Sequence, residues 1–302
     1  MKIIEQHSTT LHAAPVYAIT RGPIDNMFFS ASADHFCVLW TKQPLQQQPL
    51  AVKLEKPAYA VLFIAPFQLL VVGNSEGAFH IIDYKSKIES RLIQHHQKGI
   101  FDFAFDAADN QLLVAGGDGV LSVWSMPEVE LIRSIPLCEN KIRQLSIDKD
   151  NNLVAVACGD GFVRVLDLVF FNEIATISAH EEGATSVAWH PNKPVLVTGG
   201  KDAHLKCWNI NDQFANVLSI PAHQFAIYSI VFDETGQYCA TGSRDKTIKI
   251  WNSTSFEPLL KIGPGVEGHS HSVNKLLWID HQLVSCGDDR KICCFDISDE
   301  KE

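Results

Sequence analysis

Residues 222–262 read AHQFAIYSIVFDETGQYCATGSRDKTIKIWNSTSFEPLLKI, and their pattern decides the fold. Four runs rich in β-branched and aromatic residues are separated by turn formers, with Thr235-Gly236 and Arg244-Asp245 at the first two turns. Such runs predict short strands, here a (226–232), b (236–243), c (246–252) and d (256–262). The unit recurs along the chain. Its turn acid Asp245 has counterparts at Asp34, Glu76, Asp118, Asp160, Asp202 and Asp289, with successive spacings of 42, 42, 42, 42, 43 and 44 residues. Six residues beyond each acid stands a bulky apolar side chain: Trp40, Ile82, Trp124, Leu166, Trp208, Trp251 and Phe295. A period of about 40–45 residues with strand content predicts a radial propeller in which one repeat makes one four-stranded blade. The expected fold class is therefore all-β, a seven-bladed β-propeller of four-stranded antiparallel blades.

Size alone would suggest about two domains for 302 residues. Seven repeats in a ring instead make residues 1–302 a single domain. The last repeat stops at strand c (291–297), and KIIEQHS ahead of His12 stands where a fourth strand is wanted. Residues 2–7 plus about 268–297 should thus form a shared closing blade that hides the sheet edges at the seam, leaving 298–302 as a charged tail. Hydrophobic residues make up 46% of the chain but fall in short runs, none of them near the roughly 18 residues that cross a bilayer. No membrane association is expected. The N-terminus carries no long apolar run behind its one basic residue, so export is not expected and a cytoplasmic location is. Eight cysteines (Cys37, Cys138, Cys158, Cys207, Cys239, Cys286, Cys293, Cys294) lie mostly inside strands without Cys-x-x-Cys spacing and read as reduced core thiols. A formal charge of -10 argues against a general nucleic-acid binder.

The joint pattern of His, Ser or Thr, Asp and Trp in fixed order, as in AH(180)…TGGKDAHLKCW(208) and AH(223)…TGSRDKTIKIW(251), resembles the WD-repeat β-propeller family over residues 2–297. No repeat ends in Trp-Asp itself, since Trp40, Trp124, Trp208 and Trp251 precede Thr, Ser or Asn.

Three repeats hold the full polar set: His12, Ser30, Asp34, Trp40; His180, Thr198, Asp202, Trp208; and His223, Thr241, Asp245, Trp251. A hydroxyl, an imidazole and a carboxylate invite a nucleophilic triad. Recurrence in several blades argues for structure instead, because an enzyme needs one such set in one cleft. The resemblance implies the same: a buried relay from Trp through the hydroxyl and His to Asp. No catalytic residue is assigned. Repeat three carries Val114 in place of the hydroxyl, repeat seven Phe295 in place of Trp, and repeats two and four have Leu54 and Cys138 in place of His. Blades two and four are therefore expected to be the softer ones.

Strand a breaks the period of two, with apolar residues four, seven and nine places after the His position. The step of three predicts a bulge that turns out Tyr17, Tyr59, Phe101, Arg143, Thr185, Tyr228 and Asn274. The resemblance places these at the mouth of the central channel, beside the residues preceding each acid: Ala33, Ser75, Gly117, Gly159, Lys201, Arg244 and Asp288. One half of the rim is then aromatic. The other half is basic, with Lys141, Arg143, Lys201, Arg244, Lys246, Arg290 and Lys291.

The expected function is a non-enzymatic interaction scaffold that binds a protein or peptide, acidic with an apolar anchor, at Tyr17, Tyr59, Phe101, Arg143, Lys201, Tyr228 and Arg244. One alternative is a propeller-type hydrolase or lactonase with a metal in the channel, disfavoured because strand a supplies hydrophobes there. Another is a complex subunit gripped by its sides or lower face. Oligomeric state is not readable. No cofactor or metal is expected: His269, His271, His281 and His7 lack ligand spacing, and Cys293 and Cys294 point to opposite faces. The glycines of 115–120 and 157–162 belong to turns, without the helix a phosphate loop needs. Gln46, Gln47 and Gln48 are expected in a solvated c–d turn.

Overall fold

The computed structural model describes residues 1–265 and 268–298, and these form seven four-stranded antiparallel sheets. Blades 1 to 6 each take four consecutive strands, from Val16–Arg21, Met27–Ser32, Phe36–Lys42 and Leu45–Lys53 in blade 1 to Ile227–Phe232, Tyr238–Ser243, Ile248–Asn252 and Pro258–Ile262 in blade 6. Blade 7 combines Val273–Ile279, Gln282–Gly287 and Ile292–Ser298 with the N-terminal strand Lys2–Thr9. That strand runs antiparallel to the last one, from Lys2 opposite Ser298 to Thr9 opposite Ile292, so the two ends of the described chain close the ring. Residues 299–302 of the expected tail lie outside the described residues; Ser298 belongs to the strand.

The apolar runs of strands b follow from their position. Each is covered on both faces, and successive side chains serve different neighbours. Phe28 packs into the layer shared by blades 7 and 1, while Phe29 packs into the layer shared by blades 1 and 2. Seven such interblade layers exist, one per blade junction. A fully buried Phe in one of them stabilises the ring by about 1.5–3 kcal/mol relative to exposure.

Several expected element limits need correction; in blade 6, strands b and c begin at Tyr238 and Ile248 rather than at 236 and 246. Strand d of blade 6 begins at Pro258 rather than 256, because Asn252 Oδ1 accepts Thr254 N–H (2.9 Å) and Ser255 N–H (3.0 Å) and holds the intervening residues in a turn. Gln46, Gln47 and Gln48 sit inside strand d of blade 1 (Leu45–Lys53), not in a turn. Outer strands have solvent on one side, so glutamine is tolerated there, and an irregularity between Val38 and Trp40 absorbs the extra residues.

In all seven blades the pairing of strands a and b shifts register between the first and third residues of strand a. The residue skipped is Tyr17, Tyr59, Phe101, Arg143, Thr185, Tyr228 or Asn274. An extra residue re-aims its own side chain, which puts these seven at the top of the central channel.

Candidate functional site

The polar sets are closed chains of hydrogen bonds. In blade 1, Trp40 Nε1–H donates to Ser30 Oγ (2.7 Å), Ser30 lies 2.8 Å from His12 Nε2, and His12 Nδ1 lies 2.7 Å from Asp34 Oδ2. Blade 5 repeats this through Trp208, Thr198, His180 and Asp202, and blade 6 through Trp251, Thr241, His223 and Asp245. The single hydroxyl hydrogen is directed at Nε2, since the indole already donates to its oxygen; Nδ1–H then donates to the carboxylate. Ser30, Thr198 and Thr241 are 0% exposed, so no substrate reaches the hydroxyl of any of them.

Blade 3 corrects the sequence reading. Val114 does not leave its relay open, because Ser122, directly opposite Val114 on strand c, supplies the hydroxyl: 2.9 Å to His96 Nε2 and 2.8 Å from Trp124 Nε1. Cross-strand partners point to one face, so a hydroxyl moved across the pair still reaches both. In blade 7, His269 spans Asp289 and Ser285 at 2.8 Å each without a Trp. Burial would raise the Asp289 carboxyl, but the His269 hydrogen bond and charge and the Ser270 and Lys291 N–H groups hold it at about 2. Blades 2 and 4 carry other arrangements. Asn74 Oδ1 caps the Glu76 and Ala78 N–H groups in blade 2, and Arg164 pairs with Asp160 (2.9 Å) in blade 4.

At the top of the channel the outturned side chains form one train. Tyr17 and Tyr59 meet edge to face at 5.1 Å, and Tyr59 and Phe101 lie tilted at 33° with centroids 5.8 Å apart. The Arg143 guanidinium lies over Phe101 (4.8 Å) and reaches Tyr228 (6.0 Å). Gly117 is required beside them, since a Cβ there would come within 2.8 Å of the Phe101 ring. Asn274 donates to Val16 O (3.0 Å) and Asp288 Oδ1 (2.8 Å), returning the ring to blade 1. Thr185 departs from the others: it is buried, bonded to Gly199 O (3.0 Å) and Ile227 O (2.6 Å). The five aromatic and guanidinium groups line a hollow of about 330 Å³ together with Lys141 and Lys275.

A second hollow of about 420 Å³ adjoins it, lined by Lys141, Arg143, Lys201, Phe225, Tyr228 and Arg244 among others. Arg244 stacks on Phe225 (5.8 Å). Burial, then the charges of Arg143, Lys201 and Lys98, pull the Lys141 ammonium below its ordinary value, and burial does the same to Arg143. Lys98 joins this cluster without having been singled out from sequence. Of the remaining basic residues, Lys291 is spent on Gly268 O (3.3 Å), whereas Lys246 and Arg290 are exposed at left-handed turn positions.

Below the rim the channel is polar, contrary to the expectation of hydrophobes. Lys275 of blade 7 reaches across to Asp102 of blade 3, Nζ to Oδ1 3.1 Å. The residue after the outturned one supplies both, and the same position supplies Gln144, Ser186 and Ser229. Each of these bonds the strand a of the next blade: Leu145 N–H to Asp102, Val187 N–H to Gln144, Ser186 to Ile227 O, Leu276 N–H to Ser229. Among the described residues no three His, Cys, Asp or Glu side chains converge as a metal site. His7 pairs with Glu5 and His281 approaches Asp296 at 3.5 Å. Cys293 and Cys294 fall in different interblade layers.

Against known proteins, a family profile described as WD domain, G-beta repeat matches residues 87–125, 171–209, 214–252 and 261–296, just over half of the chain. Each matched stretch ends in strand c of blade 3, 5, 6 or 7, all four of which carry a His–Asp relay. Among curated proteins, telomerase protein component 1 of Mus musculus is 26% identical over 169 residues, 55% of this chain and 6% of that protein. Periodic tryptophan protein 2 homolog of Dictyostelium discoideum is 25% identical over 228 residues, 68% of this chain and 25% of that protein. Polyadenylation factor subunit 2 of Neurospora crassa is 23% identical over 157 residues, 52% of this chain and 24% of that protein. The chain thus spans a quarter or less of these relatives. Repeat, relay, ring closure and profile agree, and the chain belongs to the WD-domain, G-beta repeat family.

Proposed function

We propose that this propeller is a non-catalytic docking platform that seats an acidic segment of a protein partner, with an apolar anchor, in the two hollows of the top face. The observation carrying this reading is the Arg143 guanidinium. It is sandwiched between Phe101 and Tyr228 and has no ion pair or hydrogen bond among the described residues. Lys98, Lys141, Lys201 and Arg244 share that lack and stand on the same face. A cation held partly out of water without a counterion is costly, and an incoming carboxylate relieves the cost. The aromatic side of the hollow offers an apolar anchor a flat, rigid surface. That the chain is -10 overall makes this cationic island an electrostatic guide for an acidic ligand. The names of two relatives, a polyadenylation factor subunit and a telomerase component, agree with a place in an assembly. Eight free thiols support a reducing compartment such as the cytoplasm as the working site.

Fluorescence anisotropy with labelled peptides of the form acidic–Leu–acidic tests this, against basic and neutral versions of the same length. Arg143→Met keeps the stacked stem and removes the charge. Weakening of the acidic peptide by about tenfold or more is expected, since losing one partner of a desolvated pair costs about 2–5 kcal/mol. Equal binding of all three peptides, or an unchanged affinity in Arg143→Met, refutes the proposal. A second reading, a subunit held by its sides, is favoured by Ile88, Leu92, Leu131, Ile132, Ile174 and Val217 exposed on or near the outer strands of blades 2 to 5. Partner capture from host lysate that survives Arg143→Met but not Ile88→Asp with Leu131→Asp selects it.

A further inference from the structure

Blade 4 breaks the relay in a way no other blade does. Where blades 3, 5 and 7 place a His against a Gly (His96 and Gly116, His180 and Gly200, His269 and Gly287), blade 4 places Cys138 against Cys158. The two positions touch in those blades: a Cβ added at the Gly would fall 2.3 Å from His96 Nδ1, 2.3 Å from His180 Cγ and 2.8 Å from His269 Nδ1, and Ser32 and Ser243 hold the same position beside His12 and His223. An imidazole Cγ occupies nearly the place of a cysteine Sγ, one bond beyond Cβ. The spacing that excludes a Cβ beside a ring is close to the roughly 3 Å that separates the Cβ of one cysteine from the Sγ of the other across an S–S bond of about 2.05 Å. Cys158 is fully buried, whereas Cys138 is half-buried in the loop entering strand a, its Sγ 2.9 Å from Asn140 O. Both border one interblade layer.

We propose that Cys138 and Cys158 form a dithiol that hydrogen peroxide converts reversibly to a disulfide, making this corner of blade 4 an oxidation site. The two thiols are differentiated for such a reaction. The neighbouring Cys158 thiol, with the Arg164 charge, holds the Cys138 thiol below its ordinary value, while the Cys138 sulfur and burial push Cys158 up. The Cys138 thiolate attacks one peroxide oxygen. The O–O bond breaks, hydroxide leaves and takes up a proton as water, and Cys138 becomes a sulfenic acid. The Cys158 sulfur then attacks the Cys138 sulfur. The S–O bond breaks, the hydroxyl departs as water with the Cys158 proton, and the S–S bond forms. Overall one peroxide is reduced to two waters while two thiols become one disulfide, which an external thiol reverses. The other six cysteines are buried in strands, where burial pushes their thiols up, to about 12 for Cys207, Cys293 and Cys294. They lack the thiolate and the access that the first step, attack on peroxide, requires; Cys158, buried as they are, acts only in the second step, on the sulfur beside it.

Treating the native chain with peroxide, blocking free thiols in denaturant and digesting with trypsin gives the test. The expected product is the peptide Ser134–Lys141 joined to Asp150–Arg164, two hydrogens lighter than their sum and separated again by dithiothreitol. In Cys158→Ser the resolving thiol is missing, so Cys138 should be trapped by dimedone as a sulfenic acid, in a chain whose circular dichroism is unchanged. Recovery of the two peptides unlinked after treatment overturns the proposal. So does dimedone found on the strand cysteines in place of Cys138.

Discussion

The Ser122 relay in blade 3 predicts a specific rescue. Ser122→Ala removes a fully buried hydroxyl that satisfies two buried groups, the Trp124 indole N–H at 2.8 Å and His96 Nε2 at 2.9 Å. An orphaned buried polar group costs about 1–3 kcal/mol. Two of them, less some relaxation, put the expected loss at roughly 2–4 kcal/mol. Val114 is the direct cross-strand partner of Ser122 and occupies the position that holds Ser30, Thr198 and Thr241 in blades 1, 5 and 6. Val114→Thr keeps the branched shape, so in the Ser122→Ala background it should return the hydroxyl from strand c to strand b and recover at least half the loss. Urea unfolding of the four chains of this double-mutant cycle reads the coupling from the midpoints. In the parent background Val114→Thr adds a surplus buried hydroxyl and should destabilise, giving a coupling of opposite sign to simple additivity. A Ser122→Ala chain within about 0.5 kcal/mol of the parent, where uncoupled surface substitutions fall, refutes the relay as an energetic unit. Strict additivity of the two changes refutes the equivalence of the two hydroxyl positions.

Stability should fall in two steps on acidification. His96 and His223 are held below their ordinary 6.5 chiefly by burial, so the unfolded chain binds protons first and stability declines as pH drops below about 6.5. The Asp289 carboxyl lies at about 2 against an ordinary 3.8, so its contribution of roughly 2 kcal/mol is complete above pH 3.8 and vanishes toward pH 2; urea midpoints from pH 7 to 2 that stay flat contradict both. Lys275→Met leaves Asp102 with only the Leu145 N–H inside the channel and should cost roughly 1–3 kcal/mol, restored in part by Asp102→Asn in the same chain. Hydrogen exchange should show strands b and c of blades 2 and 4 opening before those of blades 1, 5 and 6, because they lack the His relay; equal protection in all blades removes the relay as the source of local stability.

The fold was legible because the seven acids and the bulky residues six places on record geometry that every blade shares. The outturned rim was legible for a subtler reason: a step of three inside a period of two has one physical meaning, an extra residue, and every strand a shows it. What escaped were the polar contacts written across strands or across the ring. Ser122 stands eight residues from Val114 in sequence and directly opposite it in space, so a reading by fixed offset sees a missing hydroxyl. Asp102 and Lys275 are 173 residues apart, and the neighbouring position is Ala18 or Ala60 in the first two blades. Nothing in one repeat announces that two others will exchange a proton-rich and a proton-poor side chain over the channel.

That difference between blades bears on how the rim is to be tested. From blade 3 onward, the residue after the outturned one ties each strand a to the next through a polar side chain, and Asn274 ties blade 7 back to blade 1. Blades 1 and 2 have Ala18 and Ala60 there, which make no such bond. At these two junctions the contacts Tyr17 to Tyr59 and Tyr59 to Phe101 occupy the level of the missing bonds. Edge-to-face and tilted aromatic pairs are worth about 0.5–1.5 kcal/mol each beyond their area, comparable with a net hydrogen bond of about 1 kcal/mol. Replacing Tyr17, Tyr59 and Phe101 together by Ala would thus loosen two blade junctions as well as strip the hollow, and lost binding would not distinguish the two effects. Tyr17→Phe and Tyr59→Phe keep the ring contacts and remove only the hydroxyls, and Arg143→Met keeps the stack and removes only the charge. If the rim recognises acid through its cation, the first two changes leave an acidic peptide bound and the third releases it, with all three chains unfolding at the parent urea concentration.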